Sequence, residues 1–137
     1  MQLSNPIEVF NLDDFLPSDG EDKFGMLYAD GVLSLDIFYE ADDSESRPAR
    51  RRIRFLLAKY FFKTPFPGYS FFSCPDHRNT PLLNSLVEYG HSDMLDMEHK
   101  TSGATGYKHY RLFLHSAGVA IHVIAQSCEI SNEELIA

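Results

Sequence analysis

The segment Phe24–Glu40, FGMLYADGVLSLDIFYE, most restricts what this chain can fold into. Two apolar runs flank Asp30-Gly31, and a two-residue hairpin turn needs positive φ at both central positions, which Asp and Gly tolerate. The second run alternates with period two. Leu33, Leu35, Ile37 and Tyr39 share one face and Ser34 and Asp36 lie on the other, so the odd-numbered face is the expected core face. A one-residue slip would turn that whole set to solvent, so the pattern commits this part of the chain to an antiparallel sheet.

The carboxy-terminal third repeats the pattern. Tyr107–Ser116 and Val119–Cys128 flank Ala117-Gly118, which predicts a second hairpin. A two-residue loop sets Leu114 opposite Ile121, Leu112 opposite Val123 and Phe113 opposite His122. That register collects Tyr110, Leu112, Leu114, Val119, Ile121, Val123 and Ala125 on one apolar face. Residues 51–62 fit both a helical stripe and a strand. Their aromatic and branched content, with Pro65-Phe66-Pro67-Gly68 following, favours strand. Thr80-Pro81 reads as an N-cap and first helical residue, Leu82, Leu83, Leu86 and Val87 as an apolar stripe and Gly90 as a stop, predicting the main helix over about 81–89. A short helix is expected from Ser92 or Asp93, and Ser131-Asn132-Glu133-Glu134 matches a capping box for a terminal one. The expected fold is α+β: an antiparallel meander of about 5–6 strands with the helix over about 81–89 packed on it.

With 137 residues and 44% apolar content, the chain suits a single domain over 1–137 with its own core. Cys74 and Cys128 are distant in sequence and read as free thiols of a reducing compartment. MQLSNPIEVF lacks the basic start and long apolar run of a secretory signal, and no apolar stretch has membrane-spanning length, so a cytoplasmic location is expected.

Charge falls in blocks. Residues 1–46 carry twelve acids and one base, residues 47–63 carry seven bases and no acid, and the whole chain has net charge −8. This balance argues against binding nucleic acid through the overall surface. The block Arg47, Arg50, Arg51, Arg52, Arg54, Lys59 and Lys63 is most economically read as a strand paired with acidic neighbours, the other reading being an exposed basic patch. The acids Asp13, Asp14, Asp19, Glu21 and Asp22 fall in one loop, and Glu40, Asp42, Asp43 and Glu45 in another. These nine are the candidate partner-binding residues, because acidic clusters steer association with basic partners.

No catalytic constellation is evident. TSGATG at 101–106 lacks a P-loop lysine, and there is no G-x-S-x-G or H-E-x-x-H. His109, Arg111, Phe113, His115 and His122 share one face of the last hairpin, which reads best as a half-solvated polar face. Cys74 and His77 have no matching second pair for zinc. Neither metal, cofactor nor catalysis is therefore expected; the alternative is a small ligand- or metal-binding enzyme using the histidine face with Cys74 and His77. The aromatic residues Tyr60, Phe61, Phe62, Phe66, Tyr69, Phe71 and Phe72 read as core, with single-strand stacking or self-association as other uses.

In size, acidity, meander (VLSLDIFYE) and closing hairpin (HYRLFLHSAGVAIHVIAQSCEI), the chain resembles the small acidic immunity proteins of bacterial polymorphic and contact-dependent toxins. The resemblance is one of general plan and covers most of the chain. It implies a protein-binding inhibitor whose partner is a cognate, basic toxin, for instance a nuclease whose cationic site it covers. The Arg50–Arg54 cluster departs from that pattern. Oligomeric state is not readable from the sequence.

Overall fold

The computed structural model describes residues 1–68 and 70–136. In chain order the strands are β1 (Leu3–Asn11), β2 (Lys23–Ala29), β3 (Val32–Glu40), β4 (Pro48–Leu56), β5 (Tyr60–Pro65) and β6 (Ser85–Ser92). Helix α1 (Asp93–Ser102) follows, then β7 (Lys108–Leu114), β8 (Val119–Ala125), β9 (Ser127–Ile130) and β10 (Glu134–Leu135). Short 3-10 turns occupy Leu12–Asp14 and His77–Leu82. The architecture is α+β, mostly antiparallel strand with one main helix. The strands divide into two five-stranded sheets: β1-β6-β7-β8-β5, and β10-β4-β3-β2 with β9 also on β4. Among the described residues no helix is long and apolar enough to cross a membrane.

The sheets face each other across one core. Leu33, Leu35, Ile37 and Tyr39 of β3 and Ala49, Ile53 and Phe55 of β4 meet Tyr110, Leu112 and Leu114 of β7 and Ile121, Val123 and Ala125 of β8. The odd-numbered face of β3 is thus the core face, and Leu33, Leu35 and Ile37 are fully buried. The β2–β3 turn holds Asp30 at φ 54° and Gly31 at φ 77°, the paired left-handed conformations that a type I′ turn requires. Residues 51–62 are strand on both sides of a corner at Leu57, where β4 leaves one sheet and β5 enters the other.

Three local expectations are corrected. Residues 81–89 are not the main helix: Pro81 lies in the 3-10 turn, and 85–92 form β6, flanked by β1 and β7. Leu86 enters the main core while Val87 enters a second cluster with Leu3 and Tyr89 on the sheet's other face. A strand buried on both faces loses its alternation, and here the remaining spacing imitates a helical stripe. Gly90 is no helix stop. Any Cβ there would stand 2.9 Å from the Cβ of Asn5 on β1, so glycine permits close strand approach. The main helix is instead α1, with Ser92 as N-cap and Gly103 closing it at φ 70°.

The last hairpin has a four-residue turn, His115–Gly118, so Leu114 pairs Val119, Leu112 pairs Ile121 and Arg111 pairs His122. This register lies two residues from the expected one. An even shift preserves the face, and the seven residues expected on the apolar face do pack in or against the core. No terminal helix forms at Ser131. Its Oγ accepts from Arg52 N (2.8 Å) and its N–H donates to Arg52 O, so the would-be cap is engaged with β4. Glu133 accepts from Tyr39 Oη (2.7 Å), and Glu134 pairs with Arg50.

Candidate functional site

Three arginines of the basic block, Arg50, Arg52 and Arg54, are paired within the sheet. Asp36 and Arg52 are directly opposed on β3 and β4, as are Arg54 and Glu129 on β4 and β9, and Arg50 and Glu134 on β4 and β10. Each opposed pair is an ion pair. Arg52 grips Asp36 through Nε–Oδ1 at 2.6 Å and a second nitrogen at 3.1 Å, while Arg54 reaches Glu129 at 2.6 Å. The hydrogen bonds from Arg52 hold the Asp36 carboxyl below its ordinary range. Arg51 points the other way, its guanidinium 4.9 Å from the centre of the Phe15 ring. Tyr39, beneath, is pushed up to about 12, by burial first and then by its hydrogen bond to Glu133.

The two acidic loops, separated by β2 and β3 in sequence, meet in space. In the first, Asn11 caps the 3-10 turn by accepting from Asp13 N (2.9 Å), and Phe15 packs on Tyr39 with ring centres 5.0 Å apart. That packing anchors the loop and leaves Asp13 and Asp14 outside it, exposed. In the second, Ala41 N donates to Arg47 O, while Asp43 accepts from Glu45 N, Arg47 N and Arg47 Nε (2.9 Å). Between the loops runs a groove of about 320 Å³ whose walls include Asp13, Asp14, Glu40, Asp42 and Asp43, with Phe15, Leu16 and Pro17 as an apolar floor. Asp43 is held below the ordinary carboxyl range, chiefly by its hydrogen bond from Arg47. Asp14, Glu40 and Asp42 have no ion-pair partner among the described residues.

The other four candidate acids lie elsewhere. Asp19 and Glu21 border an adjoining hollow of about 330 Å³ on the far side of Leu16-Pro17. Glu21 is a buried structural group whose carboxylate accepts from Ala117 N (2.9 Å), tying the 17–22 loop to the β7–β8 turn. Asp22 and Glu45 are exposed but line neither hollow, and Glu45 lies 3.5 Å from Arg47.

Three of the five residues of the histidine face, His109, Arg111 and His122, are buried, contrary to the half-solvated expectation, while Phe113 is half-buried and His115 is exposed. Residues 66–68 and 70–84 fold over this face, placing Phe72 flat against His122 and Phe66 against Phe113, with ring centres 4.0 and 3.9 Å apart. His109 Nε2 and His122 Nδ1 are 2.9 Å apart, and His109 Nδ1 meets Ser92 Oγ at 2.7 Å. Burial lowers His109 to about 4, and burial together with His109 lowers His122 further, so both rings are neutral at pH 7. Arg111 is fully buried and has no carboxylate partner among the described residues. It donates to Tyr89 Oη, Leu82 O, Ser85 O and Asn79 Oδ1, and stacks on Phe113 at 4.1 Å. Cys74 lines a cavity of about 230 Å³ beside His122, but burial raises its thiol pKa, the wrong direction for a thiolate nucleophile. His77 projects into solvent beside Asp76. Of the aromatic run, Phe62, Phe66 and Phe72 are half-buried and Tyr60, Phe61 and Phe71 are exposed; Tyr69 lies outside the described residues.

The individual acids were legible as candidates from sequence. The groove was not, because it depends on Phe15 seating the first loop against Tyr39 of a distant strand. No protein-family model, curated protein or solved structure matches this chain, so its functional reading rests on its own residues.

Proposed function

We propose that the protein is a non-catalytic inhibitor that docks a basic protein partner in its acidic groove, in the role of an immunity protein neutralising a cognate toxin. One observation carries the reading: three of the four arginines of β4, Arg50, Arg52 and Arg54, are held in ion pairs across the sheet and the fourth, Arg51, lies over the Phe15 ring, while Asp13, Asp14, Glu40 and Asp42 converge on a groove with an apolar floor. The internal pairing removes the objection that an exposed arginine patch would repel a basic partner. A groove with unpaired carboxylates above apolar side chains suits an inserted Lys or Arg, whose stem packs below while its head meets the rim. A nuclease active site, being cationic, has that chemistry.

The test is affinity capture from a lysate of the source cells with wild-type protein and an Asp14→Lys/Asp42→Lys variant as baits. A stoichiometric basic protein retained by the wild type and lost by the variant is expected. Association should slow with added salt, because steering fields are screened within about 8 Å at physiological ionic strength. Retention of the same partner by both baits would remove the groove from the interface, and the absence of any stoichiometric partner would count against the inhibitor role.

A further inference from the structure

We propose that His91, Asp93 and Asp96 form a binding site for one divalent first-row transition ion, with Zn²⁺ the defining probe. The site lies where β6 passes into α1 and is separate from the acidic groove. Alternation along β6 turns Ser92 inward, where it is 1% exposed, and His91 outward. The Ser92 hydroxyl caps α1 by accepting from Leu95 N (3.3 Å) and is fixed by buried His109 (2.7 Å), which sets the direction in which the helix leaves the strand. Asp93 and Asp96, three residues apart on the first turn, therefore share the helix face beside His91.

The spacing is that of ligands around an ion. His91 Nε2 is 3.6 Å from Asp93 Oδ1 and 3.8 Å from Asp96 Oδ2, and the three donor atoms lie within 4.8 Å of one another. Those separations exceed a hydrogen bond, so the carboxylates surround the imidazole nitrogen without bonding it. At metal–ligand distances of about 2.0–2.2 Å, two donors on one tetrahedral ion are roughly 3.4 Å apart, so the two His–Asp separations need to shorten by only a few tenths of an ångström and the Asp93–Asp96 separation by at most about 1.4 Å. Asp93 is already oriented: its Oδ2 accepts from Gln2 N (2.7 Å) and its N–H donates to Gln2 O (3.0 Å), leaving Oδ1 for the ion. Outer partners of this kind position metal-binding carboxylates.

One imidazole and two carboxylates suit Zn²⁺, Mn²⁺, Co²⁺ or Fe²⁺ and are too few oxygens for Ca²⁺. The field at a helix N-terminus opposes a cation, and two full carboxylate charges in the first turn offset it. Three protein donors leave a coordination position for water or a group from another molecule.

The experiment is calorimetric titration of the full chain, untagged and stripped with chelator, with Zn²⁺ at pH 7.5, alongside Co²⁺ absorption. One equivalent is expected to bind, with His91→Ala and Asp96→Asn each weakening affinity at least about tenfold and abolishing the Co²⁺ d–d bands. His99→Ala and Cys74→Ser/Cys128→Ser should bind as wild type does. All these variants are checked for native circular dichroism, and His91 and Asp96 are exposed, so loss of binding does not reflect unfolding. A dissociation constant weaker than about 1 mM, or binding that survives His91→Ala, would overturn the proposal.

Discussion

The buried pair His109–His122 makes fold stability depend on pH between about 7.5 and 5. Both rings are neutral in the folded protein, with His109 lowered to about 4 and His122 further, whereas an unfolded histidine protonates near its ordinary value of about 6.5. Because folded values lie below unfolded ones, the stability is fully present above pH 6.5 and is lost as pH falls toward the folded values. Each histidine then costs about 1.4 kcal/mol per pH unit, so the pair removes roughly 4 kcal/mol between pH 7.5 and pH 5. That is a large share of the roughly 5–15 kcal/mol typical of a domain. Carboxylates held low in the fold, such as Asp36 and Asp43, act in the same direction but only below about pH 4.5. Urea unfolding followed by circular dichroism at pH 7.5, 6.5, 5.5 and 5.0 measures the slope. The variant His122→Gln, which keeps a polar partner for His109 and removes one titrating ring, should halve it. A wild-type stability flat from pH 7.5 to 5.0 would show that these rings titrate normally and refute the argument.

Two packing predictions follow from the strand geometry. Gly90→Ala places a methyl 2.9 Å from Asn5 Cβ and should destabilise the fold by about 1–3 kcal/mol, measured by urea midpoint; a neutral result would mean β1 can move away at no cost. Leu57 sits at φ 52° with its side chain largely exposed, so Leu57→Gly should be neutral or stabilising by up to about 1 kcal/mol, and a thermal midpoint that falls sharply would show that its side chain holds the corner.

Where a strand has one wet and one dry face, local sequence was sufficient. β2 and β3 with their Asp30-Gly31 turn, and the apolar face of the β7–β8 hairpin, were readable because period-two alternation and turn stereochemistry are local properties. β6 was not, because burial of Leu86 in one core and Val87 in another erases the alternation that marks a strand. Ser131 shows the same limit at a cap. Its residue pattern favours a helix start, but an unpaired stretch of β4 backbone offers Arg52 N–H and C=O, and those bonds take precedence.

Charge order along the chain was enough to expect that the basic block would pair with acidic neighbours, since a strand places successive side chains opposite those of its partners. Which acids serve which arginines was decided only by register, including two partners from the far carboxy terminus, Glu129 and Glu134. The nine candidate acids separated for the same reason. Asp13, Asp14, Glu40, Asp42 and Asp43 were gathered into one groove by the contact of Phe15 with Tyr39, whereas Glu21 was drawn inside to satisfy Ala117 N. Covering His109, Arg111 and His122 likewise required Phe66 and Phe72 to return over the sheet. Sequence by itself determined the two hairpins, the strand character of 51–62, the apolar faces of the hairpins and the charge blocks, because these depend on neighbours a few residues away. The tertiary structure decided which surfaces are covered and which charges remain free, because those depend on groups brought together from distant parts of the chain.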